Sequence, residues 1–215
     1  MTYRANGLYL FVGISESGKT HVMRYIASKM AREFDYAVGF CPTKFRGSIN
    51  YIPDDRVYEG FRSDVFEKLL NKQKQLIEAS KATGAREPKV LVVCDDVLGD
   101  KEMKLYGHLW QSIASSCRHY NITVFIATQY TFAVPPIMRR NARVIVLTSV
   151  PTETDAKTLF SEFCRYIDRK DFLQMIEQAT QGHSCLQINT QAKDQKTMYQ
   201  RLLAPAKIGS FVIGN

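Results

Sequence analysis

Residues Gly13-Ile14-Ser15-Glu16-Ser17-Gly18-Lys19-Thr20 satisfy the spacing G-x-x-x-x-G-K-[ST], with an apolar, β-prone run from Leu8 to Val12 in front of them. Behind them Val22, Met23, Ile26, Met30 and Phe34 recur at helical spacing. A strand, a glycine turn and a helix in that order constrain the fold more than any other feature of the chain. Such a turn aims successive backbone N–H groups into a concave, positively polarised nest, which a β-carbon at either glycine would obstruct. The nest suits the phosphates of a nucleotide. Gly13, Ile14, Ser15, Glu16, Ser17, Gly18, Lys19, Thr20 and His21 are its expected lining, with Lys19 reaching the β and γ phosphates and the Thr20 hydroxyl ligating Mg2+.

A second chemical element lies some way downstream. Val90-Leu91-Val92-Val93-Cys94-Asp95-Asp96 is an unbroken apolar run ending in two carboxylates, the pattern of a central parallel strand buried on both faces. Ligand chemistry in open α/β sheets gathers at the carboxyl ends of such strands, so the acids should lie beside the glycine turn. Asp95 reads as the Mg2+ partner, through a water, and Asp96 as the residue that orients or deprotonates an attacking water. Helix-capping acids are the plainer alternative. Ile122 to Thr128 is a further β-branched strand, and Gln129 at its tip is placed to sense a γ phosphate or the water, or is simply a strand end.

Three arginines, Arg139, Arg140 and Arg143, crowd in before the apolar strand Val144 to Leu147. A permanently charged, planar guanidinium is the usual device for stabilising charge on a transferring phosphoryl group, often from a neighbouring subunit. Arg139 is the first choice for that finger and Arg140 the second. Surface arginines, or arginines on a nucleic-acid phosphate, are the alternatives.

The remaining elements follow from periodicity and punctuation. Tyr36 to Cys41 reads as a strand opening into Thr43-Lys44-Phe45-Arg46-Gly47, where cations surround an aromatic ring: either a polynucleotide contact or a solvated loop. Ile49 to Phe61 reads as loop with a possible short strand. Val65, Phe66, Leu69, Leu70, Leu76 and Ile77 form one face of a helix from Ser63 that Gly84 stops, with its lysines on the solvated side. Leu105, Leu109, Trp110, Ile113 and Cys117 mark another helix. Thr152 and Asp155 resemble a capping box opening a helix through Ile167, followed by one from Lys170 to Gln181. Cys185 to Asn189 and Met198 to Leu203 read as a hairpin extending the sheet, and Phe211 to Ile213 as a last short strand.

Together these give an α/β fold with a mostly parallel central sheet flanked by helices, a C-terminal hairpin at one edge, and a single domain over 1–215. The net charge of +8 and pI near 9.2 suit an anionic partner, whether nucleotide, nucleic acid or acidic protein. Five scattered cysteines without a C-x-x-C pair indicate neither a disulfide framework nor a zinc site. No apolar run reaches membrane-spanning length, and the first strand begins too early for a leader peptide, so a soluble protein that is not secreted is expected.

The phosphate loop, the Val-Val-Cys-Asp-Asp strand, Ala127-Thr128-Gln129 and the run Pro136-x-x-Arg139-x-Asn141 resemble the poxvirus-type genome-packaging ATPases of large DNA viruses, within the FtsK/HerA superfamily. The likeness spans roughly residues 8 to 150, with Tyr51-Ile52-Pro53 and Tyr199-x-Arg201 as less secure matches. It implies a RecA-like P-loop NTPase core of the ASCE type, ATP and Mg2+ as cofactors, and hydrolysis coupled to moving double-stranded DNA. It further implies a homo-oligomeric ring, a pentamer or hexamer, whose arginine finger acts across the interface, capsid or portal components as partners, and a cytoplasmic, viral-factory or virion location. Two features depart from the pattern: Asp96 stands where many relatives carry Glu, and Glu16 adds negative charge inside the phosphate loop. From the residues alone the reading stops at a Mg-nucleoside-triphosphate hydrolase. A small-molecule P-loop kinase and a non-hydrolysing nucleotide-dependent interaction protein are the competing classes.

Overall fold

The computed structural model describes residues 2–42, 47–101, 103–104, 107–150, 152–164 and 166–214, and at Phe132 the backbone alone. The basic and aromatic loop Thr43 to Arg46 and the stripe residue Leu105 lie outside the described residues.

Eight strands form one sheet. They are β1 (Gly7–Val12), β2 (Tyr36–Cys41), β3 (Val57–Glu59), β4 (Val90–Asp95), β5 (Ile122–Thr128), β6 (Ala142–Leu147), β7 (Ser184–Asn189) and β8 (Tyr199–Leu203). Their order is β3-β2-β4-β5-β1-β6-β7-β8, parallel from β3 to β6, with β7 and β8 added antiparallel as the expected hairpin. Every residue of β1, β4 and β5 is buried, which is why these three read as unbroken apolar runs. The edge strand β8 alternates instead.

One face of the sheet is covered by α2 (Ser63–Thr83), α3 (His108–Ser116), α4 (Pro136–Asn141), α5 (Glu153–Phe163) and α6 (Arg169–Ala179). The stripe Phe66, Leu70, Gln73, Ile77 and Ser80 buries α2, and the Gln73 amide donates to the carbonyls of Pro88 (2.7 Å) and Tyr120 (2.9 Å) just ahead of β4 and β5. Gly84 closes α2 at φ 70°, a left-handed position that favours glycine. The other face is covered by α1 (Lys19–Met30), which buries Val22, Met23, Ile26, Ala27 and Met30, by Ile49 to Ile52, and by the carboxyl-terminal segment.

Several boundaries differ from the sequence reading. The α1 period ends at Met30, where a 3-10 turn over Ala31–Glu33 carries Phe34 into the core. Thr152 caps α5 as expected, but the helix stops at Phe163, where Cys164 turns extended (φ −86°, ψ 93°), and Asp168 then caps α6 by accepting from Asp171 N. Asp194 likewise caps the short α7 (Gln195–Met198), delaying β8 by one residue. Phe211 to Ile213 is not a strand. Phe211 stacks on Tyr51 with centroids 5.2 Å apart, and Ile213 N donates to Tyr51 O at 2.9 Å, so packing rather than a ladder holds this segment across α1.

Candidate active site at the sheet's carboxyl end

The parallel strands deliver their carboxyl ends to one rim of the molecule. Gly13 N donates to Thr128 O (3.2 Å), so the glycine turn after β1 and the tip of β5 are tied together. A β-carbon at Gly13 would lie 2.2 Å from Thr148 Oγ1 and 2.6 Å from Ser17 Oγ, so that position admits glycine only. At Gly18 the reason is different: no protein atom comes within 4 Å of an added β-carbon, but φ is 89°. A β-carbon thus clashes with the protein itself at Gly13, and backbone conformation decides at Gly18.

Support for the loop comes from the end of β6, which sequence reasoning missed. Ile14 N donates to Ser149 Oγ (3.0 Å), Ser17 Oγ and Thr148 Oγ1 are 2.7 Å apart, and Thr148 N donates to Val12 O (2.9 Å). The available signal was two hydroxyl residues directly after an apolar strand. Ile14, Ser15 and Glu16 face solvent at the crest, Glu16 with φ 61°.

Lys19 is buried and donates from Nζ to Gly13 O and Ile14 O, each at 2.8 Å, so its ammonium spans the loop. Burial pulls its pKa below the usual lysine value, against the opposing fields of Asp96 and then Asp95. The Thr20 hydroxyl donates to the Asp95 carboxylate at 3.1 and 3.0 Å, joining residues 75 apart in the chain. Asp95 is buried, and desolvation raises its pKa, the hydroxyl of Thr20 acting the other way. One carboxylate beside one hydroxyl fits Mg2+ that travels with a nucleotide, since that ion keeps several waters and takes further oxygens from phosphates. A dedicated protein cage is a different arrangement, and among the described residues no cluster of three or more His, Cys, Asp or Glu forms one.

β5 lies between β1 and β4, with Asp95 level with Ala127, so Gln129 projects from the strand separating the loop from the acids. Asp96 follows at φ 56° and is exposed, turned out of the strand that holds Asp95 in. Lys19, Thr20, Asp95, Asp96 and Gln129 thus share one rim.

Arg139 does not join them. It is buried, with Nε 2.8 Å from Glu162 Oε2 and Nη2 2.6 Å from Glu162 Oε1, and Nη1 donates to Val134 O. A guanidinium committed to a buried carboxylate of its own chain is not free to cross an interface, so the preference for Arg139 as the finger is corrected. Arg140 is exposed, without an ion pair among the described residues. It stands two residues before β6, at the amino end of the parallel strands. The five residue steps from Leu8 to Gly13 separate that end from the glycine turn by roughly 17 Å.

A cleft of about 760 Å3 continues from Ser17 and Gly18 along His21 and Tyr25 of α1 to His183 and the Leu203–Ala206 segment. His21 reaches that segment with its side chain, Nε2 lying 2.9 Å from Pro205 O. Nothing in the local sequence pattern marks Tyr25, His183 or Pro205, which meet only because the hairpin returns beside α1.

The profile of the poxvirus A32 protein matches residues 5–190. An uncharacterized protein, 015R, of Frog virus 3 (isolate Goorha) is 25% identical over 144 residues, covering 66% of this chain and 44% of that protein, so the chain spans less than half of that relative's length. The genome packaging NTPase B204 from Sulfolobus turreted icosahedral virus 2, solved with AMPPCP, matches with a TM-score of 0.65 at 13% identity over 93% of this chain and 98% of that one. The pCW3 conjugation coupling protein TcpA, solved with ATPγS, matches at 0.59 and 16% identity over 85% of this chain and 57% of that one. These likenesses show a shared P-loop ATPase fold.

Proposed function

This chain belongs to the poxvirus A32 protein family, and on that footing we propose that it is an ATP-hydrolysing motor that moves double-stranded DNA into a viral capsid, working as a homo-oligomeric ring. The observation that carries the reading is the Thr20–Asp95 hydrogen bond at the mouth of the Lys19 loop, because it brings the loop hydroxyl and the strand-end carboxylate together as a metal-bound triphosphate needs them. Bound Mg2+ would neutralise phosphate charge as the γ phosphate is attacked.

The chain's own residues do the rest. Backbone N–H groups from Gly13 to His21 cradle the phosphates, and Lys19 exchanges its two loop carbonyls for β and γ oxygens. Thr20 and Asp95 would hold the metal. Asp96, free of the strand, accepts the proton of the lytic water, and Gln129 fixes the water's direction. The cleft beyond Gly18 takes the ribose and base, with Tyr25 as the ring available for stacking. Arg140 stabilises transition-state charge in the neighbouring protomer, since in its own it sits at the wrong end of the sheet. The net charge of +8 favours the DNA partner. In the relatives whose names speak of it, genome packaging is what the B204 protein does.

Phosphate release from ATP and Mg2+, with and without duplex DNA, tests the proposal. Turnover should rise with DNA, fall with added salt, and vanish in Lys19→Ala. Turnover indifferent to DNA at every salt concentration would remove the motor, and phosphate appearing on an added nucleoside or sugar would make the protein a kinase.

A further inference from the structure

At the opposite end of the sheet from the phosphate loop lies a polar pocket of about 450 Å3, lined by Thr2, Arg4, Arg143, Asn189, Gln191 and Gln200 among others. No carboxylate lines it, and neither guanidinium makes an ion pair among the described residues. Asp194, nearby in the chain, spends its carboxylate on Thr197 N (2.9 Å) and Thr197 Oγ1 (2.8 Å). Lys193 and Lys196 on the same connection are exposed.

Arg143 is built into place. β1 pairs Leu8 with Ala142 but Tyr9 with Val144, so Arg143 is the extra residue of a β-bulge, the device by which a strand re-aims one side chain. Nη2 donates to Asn6 O at 3.1 Å, while Nε is buried without a hydrogen-bond partner. The guanidinium lies across the start of β1, where a β-carbon on Gly7 would come within 2.9 Å of Nε. Both arginine charges also act on the Tyr9 phenol, whose OH is bonded to the main chain of Arg4, so the two fields converge.

We infer that this pocket is a second anion site, holding a phosphodiester of the DNA backbone. Guanidiniums, amides and hydroxyls with no acid are the donor set that phosphate oxygens require, and a guanidinium fixed by a bulge without a carboxylate partner among the described residues is a costly arrangement to keep for packing alone. The nucleotide of the same protomer is excluded as occupant, because a strand's length separates the pocket from the phosphate loop. The inference rests on the DNA-moving reading above and adds where the polymer is held.

The test is duplex-DNA binding by fluorescence anisotropy across a salt series, for the full chain and for Arg4→Gln, Arg143→Gln and the double variant, alongside hydrolysis with and without DNA. Each phosphate contact contributes about 0.9 to the slope of log K against log salt. The double variant should lower the slope by about one unit and each single change by part of that, with loss of DNA stimulation and unchanged basal turnover. Among the described residues Arg4 is exposed and bonded through its main chain, so Arg4→Gln reports on the pocket even if Arg143→Gln lowers the melting temperature. A double variant with the wild-type slope overturns the pocket while wild-type stimulation by DNA leaves the motor standing. Wild-type protein that binds no DNA overturns both, and variants altered only in thermal protection by inorganic phosphate would make this a free-phosphate site and overturn the DNA assignment.

Discussion

Arg139 and Glu162 form a two-pronged ion pair, Nε and Nη2 meeting the two carboxylate oxygens at 2.8 and 2.6 Å, with side chains only 7% and 9% exposed. It locks the end of α4 to α5, and its worth lies in what happens when one partner goes. Removing a single member strands a buried charge at a cost of about 3–5 kcal/mol. Arg139→Ala should therefore unfold at much lower urea than wild type, and Glu162→Ala should do the same. A wild-type midpoint for Arg139→Ala would return that residue to candidacy as the finger.

Arg140→Ala should melt with the wild type and still bind nucleotide, but lose about 10³-fold or more in assembled turnover, the scale of an arginine finger. Mixing it with Lys19→Ala protein discriminates cis from trans. Rings containing both should regain part of the activity, because a protomer with an intact loop can then meet a neighbour with an intact arginine. No recovery on mixing, with each parent confirmed as a ring, would place the arginine in cis or outside the reaction.

Asp95→Asn separates the metal from the fold. Burial raises the Asp95 pKa from about 3.8, so the folded chain binds this proton more tightly than the unfolded one. Its favourable contribution is complete below the unfolded pKa and is lost as pH rises through the folded value. Without Mg2+ the variant should melt above wild type at pH 7, with the gap closing toward pH 4. ATP with Mg2+ at a hundredfold excess over Kd should add about 2.7 kcal/mol to the wild type and far less to the variant. Equal protection of both by Mg-ATP would free Asp95 of its role.

The cleft along Tyr25 and Pro205 makes a steric prediction. Ala206 is exposed at its rim, so Ala206→Trp should leave the melting temperature within a degree or so while blocking the base. KM for ATP should rise about tenfold, equivalent to about 1.4 kcal/mol, with kcat little changed. Unaltered KM would move the base elsewhere.

What could be read in advance followed from local rules. β1, β4 and β5 are buried on both faces, so each is a pure apolar run, and Gly13 to Thr20 carries its geometry in its own spacing. Capping at Thr152 and the stop at Gly84 are equally local. One error depended on a residue distant in sequence: Phe211 to Ile213 packs on Tyr51 instead of pairing as a strand. The early end of α5 is local, five residues ahead of the Asp168 cap of its successor.

Sequence by itself determined the glycine turn, the buried acid and the strands that carry them, since backbone conformation and burial are written in nearest neighbours and short periods. Only the tertiary structure decided which arginine is tied down and which is exposed, that Thr148 and Ser149 brace the loop, and that a bulge points Arg143 into a pocket at the far end. Those outcomes depend on which side chain lies opposite, and that is settled by strand order and helix packing, which a linear pattern of residues does not encode.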